Sequence, residues 1–422
     1  MQIIIPSDVF PPTGKGGAAW SSHALALALI RRGHQVMAVV PVRGAAGVAP
    51  YDALGVPSLR VGYRAPGIPF VQNYFRHERF WQPLAKAIVA AAAGRPDVIH
   101  AQHVQAAPAA VLAGQRLGTP VVVTVRDHWP WDYFATGLHG DRMPHPAASW
   151  ASLATDLPAR LGPVRGALAL PAIPYMLAHL RRRAAFLARA DAVIACSSYI
   201  ARRLAGIVAP QRLHVLPHMV DFAAVEATLA TPAQTQVAGP LLLFAGKLEP
   251  NKGAGLLAPI FRALRELGAP PFTLVVAGDG ALRTSLGRDL AELEVQAHFL
   301  DWAGHDEVLR LMARCDLLLF PSAWGEPLSR VLLEAASVGA PILAMPTGGT
   351  PDIIRDGVNG ALAATPQAFA RRLRDLLLDP AQARRLGDAA REAARARYAV
   401  PLLVPQYEQL YLGLRGLGPA NA

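Results

Sequence analysis

Cysteine is nearly absent from this chain: Cys196 and Cys315 are the only two in 422 residues. Two thiols exclude a disulfide framework and a cysteine-ligated zinc site, and they fit a reducing compartment. Charge is sparse as well, at 17% of residues, but no long polar tract goes with it, so wholesale disorder is excluded. No apolar run reaches the roughly 18 residues that a membrane-spanning helix needs. The longest candidate, residues 167–178, is interrupted by Pro171 and Pro174. The opening MQIIIP lacks the basic and long apolar segments of a secretory signal and reads as a strand. Lysine is rarer than arginine throughout, with Lys15, Lys86, Lys247 and Lys252 the only four, although the net charge is +11. That charge favours anionic partners. The arginines are dispersed and no nucleic-acid-binding module is visible, so nucleic acid is not an expected partner.

What the chain has is length and apolar content. At 422 residues and 52% hydrophobic, it can bury two cores. Short apolar runs alternate with helical patterns: MQIIIPS, HQVMAVVPV, PDVIHAQH, TPVVVTVRDHW, DAVIACSS and QRLHVLPHMVD read as strands. Residues 227–240 are polar, with Pro and Gly, and read as a linker. The pattern then restarts with PLLLFAG, FTLVVAGDG, AHFLD, CDLLLFPS and APILAMP. Repeated strand–helix–strand units predict parallel sheets covered on both faces. The expected organisation is a first Rossmann-like domain over 1–228, a second over 229–398, and a helix over 399–422 packing back on the first domain.

Ligands of such sheets lie outside the carboxyl ends of the strands, so the loops after strands carry the chemistry. After the first strand, Gly14, Gly16 and Gly17 lead into a helix whose free N–H groups could face an anion. The spacing is neither a dinucleotide fingerprint nor a P-loop, and a plain tight turn is the other reading. In GKLEPNKG, Lys247 and Lys252 flank a proline turn and could meet one phosphate; two surface lysines is the alternative. Gly278 sits in a GxG that reads first as a simple turn. In GEPLSRVLLEA, Glu326 precedes an apolar helix in which Pro327 suits the first position, Leu328 to Ser337 are helical, and Gly339 is the stop. N–H groups near Leu328 and Ser329 are expected to receive a diphosphate. Glu334 lies two turns further in, roughly 9–10 Å along the axis. That offset suits a ligand with hydroxyls at both ends and phosphates between them, such as a nucleotide sugar. Glu326 and Glu334 as plain surface charges is the alternative, although the apolar neighbours of Glu334 argue against full exposure. Gly348 and Gly349 form a further anion-tolerant turn.

In this order, GKLEPNKG, GEPLSRVLLEA and TGGTPDIIRDGVNG, together with RRGHQV, DVIHAQH and HVLPHMVD, resemble the retaining glycosyltransferases of family 4, over nearly the whole chain. The resemblance implies an α/β chain of GT-B fold: two Rossmann-like, doubly wound domains facing across a deep cleft, closing over the substrates. It implies that Glu326 contacts the donor sugar and Glu334 the ribose. Lys252, with Lys247 where the family usually has Arg, would neutralise the diphosphate, and Gly16 and Gly17 would close over the phosphates. It also implies retention of configuration with no required cofactor or metal, the nucleotide-diphosphate sugar being the donor substrate. Ser329 replaces a usual Gly and would offer its hydroxyl to phosphate. Arg126 stands where many members carry a His that touches the donor sugar. Either Arg126 takes that place or the neighbouring His128 shifts into it, with Asp127 beside them.

Other groupings stay open. His100, His103, Asp127 and His128 follow two strands; they lack a close metal-ligand pair of known type, and polar residues lining the acceptor side is the preferred reading. Trp129, Trp131 and Tyr133 could stack on an acceptor or pack a long loop. Residues 157–190 combine apolar faces with Arg181, Arg182 and Arg183, which suits either an anionic membrane surface or a solvated helix. The expected activity is transfer of a hexose from a UDP- or GDP-linked donor to a hydroxyl acceptor: a sugar, a glycolipid or a polyprenyl-linked glycan. Cell-surface polysaccharide or glycolipid synthesis is the expected setting, in the cytoplasm or peripheral at the inner membrane face. A sugar-nucleotide epimerase of the same fold and a non-catalytic nucleotide- or sugar-binding protein are the alternatives. A dehydrogenase is disfavoured, because no G-x-G-x-x-G follows the first strand.

Overall fold

The computed structural model describes residues 1–12, 17–45, 47–68, 70–92, 94–103, 106–140, 143–144 and 147–415. The strands are β1 (Gln2–Pro6), β2 (Gln35–Arg43), β3 (Val48–Asp52), β4 (Pro57–Tyr63), β5 (Val98–Gln102), β6 (Val121–Val125), β7 (Leu138–His139) and β8 (Met143–Pro144). They continue with β9 (Ala192–Ala195), β10 (Leu213–Val215), β11 (Leu241–Ala245), β12 (Thr273–Ala277), β13 (Ala297–Phe299), β14 (Leu317–Phe320), β15 (Ile342–Ala344) and β16 (Ala361–Leu362). Most are short, continuous apolar runs; β5, β6, β9, β11, β12, β14 and β15 are buried at every position. Burial on both faces is what a parallel sheet clad by helices requires.

Two compact units form. Among the described residues the first holds 1–136, 147–219 and 401–415, and the second 137–140, 143–144 and 220–400. The chain thus passes into the second unit at residues 219–220, ahead of the break read from sequence at 228. The physical reason is local. Val220 N donates to the Tyr398 carbonyl at 2.8 Å and Val400 N donates to the Val220 carbonyl at 3.1 Å. The helix Phe222–Leu229, capped by Asp221, packs on the helix His305–Arg314. The segment read as a linker is pinned as well, since Glu307 accepts from Gln234 N and Thr235 N at 3.0 and 2.8 Å.

In the first unit the sheet order is β10-β9-β6-β5-β1-β2-β4-β3. All neighbours are parallel except β3, which runs antiparallel to β4; neither was read from the sequence. The helix Val400–Arg415 belongs to this unit from Pro401 onward. The Tyr411 hydroxyl lies 2.6 Å from His100 Nδ1, and His100 Nε2 lies 2.7 Å from Thr124 Oγ1. Burial, then the charge of Arg126, hold His100 well below its ordinary pKa, so it is a neutral core residue.

In the second unit the order is β13-β12-β11-β14-β15-β16, all parallel. Each sheet changes direction once near its middle. In the first unit the chain winds outward from β1 through β2 one way and restarts at β5 the other way. In the second, the divide lies between β11 and β14. Loops leaving the carboxyl ends of strands at such a divide splay apart and leave room for a ligand.

Candidate active site

In the second unit, Lys252 follows β11 and Glu326 follows β14, the two strands at the divide. Lys252 Nζ lies 2.7 Å from Glu326 Oε1, and Ser322 Oγ donates to the same oxygen at 2.9 Å. The ammonium also stands 4.3 Å from the centre of the Trp324 ring, a cation–π contact. The Glu326 side chain is only 4% exposed, against 28% for Lys252. A nearly buried carboxylate thus has a half-open cation as its partner, an arrangement that costs desolvation unless the pair is well bonded.

Backbone packing fixes this geometry. Gly253 has φ +74°, and a Cβ there would overlap the Pro321 carbonyl. Glycine is therefore needed for the Lys252 loop to press against the loop after β14. Gly348, at φ +58°, packs in the same way on the backbone of Glu326, and Gly349 N donates to the Glu326 carbonyl at 2.6 Å. Thr347 Oγ1 donates to the Ser322 carbonyl at 2.9 Å. Loops after β11, β14 and β15 therefore converge on one glutamate.

The helix start differs from the sequence expectation. The helix is Arg330–Val338, and Ser329 is its N-cap, accepting from Leu332 N at 3.3 Å. Pro327 and Leu328 stand in the preceding turn. A serine cap bonds one of the orphan N–H groups and wins over proline at the first position. Ser329 Oγ is thus engaged in capping, and the buried Leu328 side chain is part of the packing. Gly339 ends the helix at φ +80°, as expected. Glu334 consequently lies on the second helical turn, closer to the helix start than the sequence spacing suggested. Its Oε1 is 3.0 Å from Arg330 Nη2 and 3.2 Å from His305 Nε2. Burial opposes ionisation of Glu334, but His305 and Arg330 together hold its pKa below the usual carboxylate value. The hydrogen bond to Glu334 raises His305.

Lys247 and Lys252 do not converge on one point in this structure. Lys247 is 59% exposed and lies 3.7 Å from Glu249 Oε1, whereas Lys252 is held by Glu326. Gly278 has a packing role: a Cβ there would overlap the Gly246 carbonyl, because the loops after β11 and β12 run in contact. Gly246 N donates to Ala277 O at 3.0 Å, and Leu248 N to Asp279 O at 2.9 Å.

In the first unit, Gly16 lies outside the described residues, and Gly17 opens the helix Gly17–Arg31. Arg126 is turned inward rather than presented at the strand end. It is buried, donates from Nη1 to Gln102 Oε1, and has Nη1 3.5 Å from Ser22 Oγ. His128 is buried too, with its ring 5.5 Å from Trp131 and 5.8 Å from Tyr199. Trp129, Trp131 and Tyr133 are all buried, so packing of the loop is their role. Arg183, read as part of a basic surface, is buried and donates to the Trp129 carbonyl at 3.2 Å. Asp127 pairs at the strand ends with His103 at 2.9 Å.

The sequence reading missed Asp8, Ser322 and Trp324. Asp8 stands two residues beyond β1 and bonds His103 Nδ1 at 2.9 Å. Its signal was a carboxylate just past the end of a buried strand, the same rule that singled out the other loops. Nothing local marked Ser322, whose role depends on where Glu326 turns back.

Comparison with known proteins agrees with this fold. The family described as "Glycosyltransferase Family 4" matches residues 15–224, and "Glycosyl transferases group 1" matches residues 232–393. A curated relative, glycogen synthase of Mycobacterium tuberculosis, is 26% identical and aligns over 98% of this chain and 95% of its own. Anabaena Alr3699/HepE, solved with UDP, is similar in fold at a TM-score of 0.68 and 18% identity, covering 98% of this chain and all of that one. Sucrose-phosphate synthase from Thermosynechococcus elongatus gives a TM-score of 0.71 at 21% identity, covering 98% and 99% of the two chains. With two doubly wound units, the lysine–glutamate pair at the second divide and both family matches in register, the chain belongs to the family 4, group 1 glycosyltransferases of GT-B fold.

Proposed function

We propose that the chain is a retaining hexosyltransferase that moves a hexose from a UDP- or GDP-linked donor to a hydroxyl acceptor. The observation that carries this reading is the Lys252–Glu326 pair at the β11/β14 divide. In the reaction, the bond from the sugar C1 to the diphosphate oxygen breaks and its electron pair leaves with the nucleoside diphosphate. The acceptor oxygen bonds to C1 and its proton passes to the departing diphosphate oxygen. The charge to be stabilised grows on the diphosphate, so fixed cations there lower the barrier. Lys252 would supply this charge, with Lys247 close by in sequence on the same loop. When the diphosphate arrives, Lys252 turns part of its interaction from Glu326 to phosphate, and Glu326 is released to the sugar hydroxyls. Glu334, held ionised by Arg330 and His305, would accept from the ribose hydroxyls. Retention, and the absence of a metal requirement, come to this reading from the family resemblance.

The relative named glycogen synthase and the likeness to a protein solved with UDP and with UDP-glucose make UDP-glucose the first donor to try. We place the enzyme in the cytoplasm, in cell-surface polysaccharide or glycolipid synthesis. Contact with the inner membrane face would run through Val164 and Leu168, 71% and 78% exposed, beside exposed Arg165. Among the described residues, no helix is long and apolar enough to cross a membrane.

The test is a thermal-shift titration with UDP, GDP, ADP and NAD, followed by chromatography of donor and product. A ligand at 100 times its dissociation constant adds about 2.7 kcal/mol to the folded state. A transferase shows a shift with one nucleoside diphosphate and releases it faster when acceptor is present. Conversion of the sugar nucleotide with no acceptor would replace this reading with an epimerase. Binding without turnover against any acceptor would replace it with a binding protein.

A further inference from the structure

We propose that Asp8, His103 and Asp127 form the acceptor-hydroxyl site of the first unit, with Asp127 as the contact, His103 as the residue that positions it and the buried Asp8 as the anchor of His103. This deepens the transferase reading above and rests on it. The three residues leave β1, β5 and β6, which lie side by side in the order β6-β5-β1. They stand at the carboxyl ends of the strands, next to the place where the winding of this sheet reverses.

His103 is central. Its Nδ1 lies 2.9 Å from Asp8 Oδ2 and its Nε2 2.9 Å from Asp127 Oδ2. Ionised carboxylates only accept hydrogen bonds. A ring bonded to a carboxylate at each nitrogen therefore donates twice, and is an imidazolium. His103 has φ +70°, an uncommon conformation for a residue with a side chain. Asp127 is locked further by Trp129 N, which donates to its Oδ1 at 3.0 Å. Trp129 is in turn anchored by the buried Arg183. Exposure is graded across the cluster: Asp8 0%, Asp127 15%, His103 24%. The Asp127–His103 edge is thus the open one.

Burial works against charge on the ring, but Asp127 and then Asp8 raise the pKa of His103 to about 10. Asp127 is held below its ordinary value despite its burial, chiefly by His103. Among the described residues, the ionisable groups that also interact with these three include His77, His128, Arg183, Tyr63 and Cys196.

Arg183 adds a second cation near the two carboxylates, so selectivity at the open edge comes from hydrogen-bond chemistry and not from net charge. The Asp127 carboxylate only accepts, which suits the donating hydroxyls of an uncharged polyol and not the oxygens of a phosphate. Such bonds to a charged acceptor are stronger than those between neutral groups. The reacting end of the acceptor is therefore a neutral polyhydroxyl group, and Arg126, turned into the core, makes no contact with it. A merely structural cluster would hold the three strand ends together and ignore sugars.

The experiment uses full-length protein with histidines labelled in 15N, loaded with the nucleoside diphosphate that gives a thermal shift. The His103 ring signals are assigned by their loss in His103→Asn, chosen because asparagine tolerates the left-handed backbone. Methyl glycosides of glucose, galactose and mannose, and glycerol, are titrated in, with inorganic phosphate as the anionic control. At least one neutral polyol should move the His103 signals saturably, and phosphate should not. The isosteric Asp127→Asn should weaken that polyol about tenfold or more, as expected for a lost hydrogen bond to a charged group. The acceptor KM should rise by a similar factor while the nucleotide midpoint holds. Thermal unfolding verifies that the variant is folded. If nucleotide binds but no polyol moves His103, or if Asp127→Asn binds the polyol like the native protein, the inference is overturned. If no nucleoside diphosphate binds the native protein, the transferase reading itself falls, and this inference with it.

Discussion

Glu326→Gln is the most informative single substitution, because it separates the sugar from the diphosphate. In the structure Glu326 accepts from Lys252 Nζ at 2.7 Å and from Ser322 Oγ at 2.9 Å, both on Oε1. Glutamine keeps an acceptor for both donors, so the loops after β11 and β14 stay together. Its amide end takes the place of the second carboxylate oxygen at a side chain only 4% exposed, and an unmatched N–H₂ there costs about 1–3 kcal/mol. The variant should be folded and somewhat less stable. The charge is the larger change. A charge-assisted hydrogen bond is worth about 1.5–3 kcal/mol net, and Glu326 holds Lys252 by one in the absence of donor. Removing the competing anion frees the ammonium for phosphate. Affinity for the nucleoside diphosphate should hold or tighten, by at most about tenfold. Turnover should fall about a hundredfold or more, the scale of a lost electrostatic contact in the transition state. Calorimetric titration with the nucleoside diphosphate and a product-release assay give the two numbers on one preparation. Parallel losses of affinity and turnover would refute the reasoning, since Glu326 would then serve the nucleotide. Unchanged turnover would remove it from the reaction.

Other substitutions test the frame. Gly253→Ala places a Cβ on the Pro321 carbonyl in a left-handed backbone, so the second unit should lose about 2 kcal/mol or more and nucleotide affinity should drop with it. A urea midpoint equal to that of the native protein would show that the two loops can separate freely. Tyr411→Phe leaves a buried nitrogen of His100 without its partner and should cost the first unit about 1–3 kcal/mol. Denaturation followed by tryptophan fluorescence, most of it from this unit, checks this. The pKa of His103 is raised by folding, so its stabilisation is complete below the unfolded value of 6.5 and is lost as pH rises toward about 10. Asp127, with a lowered pKa, contributes above its ordinary value of 3.8 and loses that contribution as pH falls through its folded value. The stability gap between native protein and His103→Asn should therefore narrow above pH 6.5, by at most about 1.4 kcal/mol per pH unit. A gap of constant size from pH 6 to pH 9.5 would contradict a charged His103.

The fold was legible because its signals are local. Runs such as LLLFA and VVVTV suit strands buried on both faces, and the helical patterns between them point to a parallel sheet and supply its cladding. Glu326, Lys252 and their glycines were legible for a related reason. They occupy short loops right after strands, where the sheet architecture places ligands. The helix start was misread because proline at a first position and serine at a cap compete within a few residues, and only the observed bond from Leu332 N to Ser329 decides between them.

Side-chain direction was not legible. Arg126, Asp127 and His128 are consecutive, yet one turns into the core, one pairs with His103 at the strand ends, and one packs among aromatic rings. Neither charge nor hydropathy distinguishes the three fates, because each depends on what neighbouring strands and helices present: Gln102 from β5, His103 from the next loop, Tyr199 from a later helix. Asp8 and His103 are 95 residues apart and become partners only because β1 lies beside β5. The sequence by itself determined two α/β units and singled out Lys252 and Glu326 as residues of loops that follow strands, since apolar periodicity and loop glycines act over a few residues; their pairing, across 74 residues, came from β11 lying beside β14. The tertiary structure alone decided the Asp8–His103–Asp127 cluster and the burial of Arg126, since strand order and the packing around each loop are set by the whole sheet.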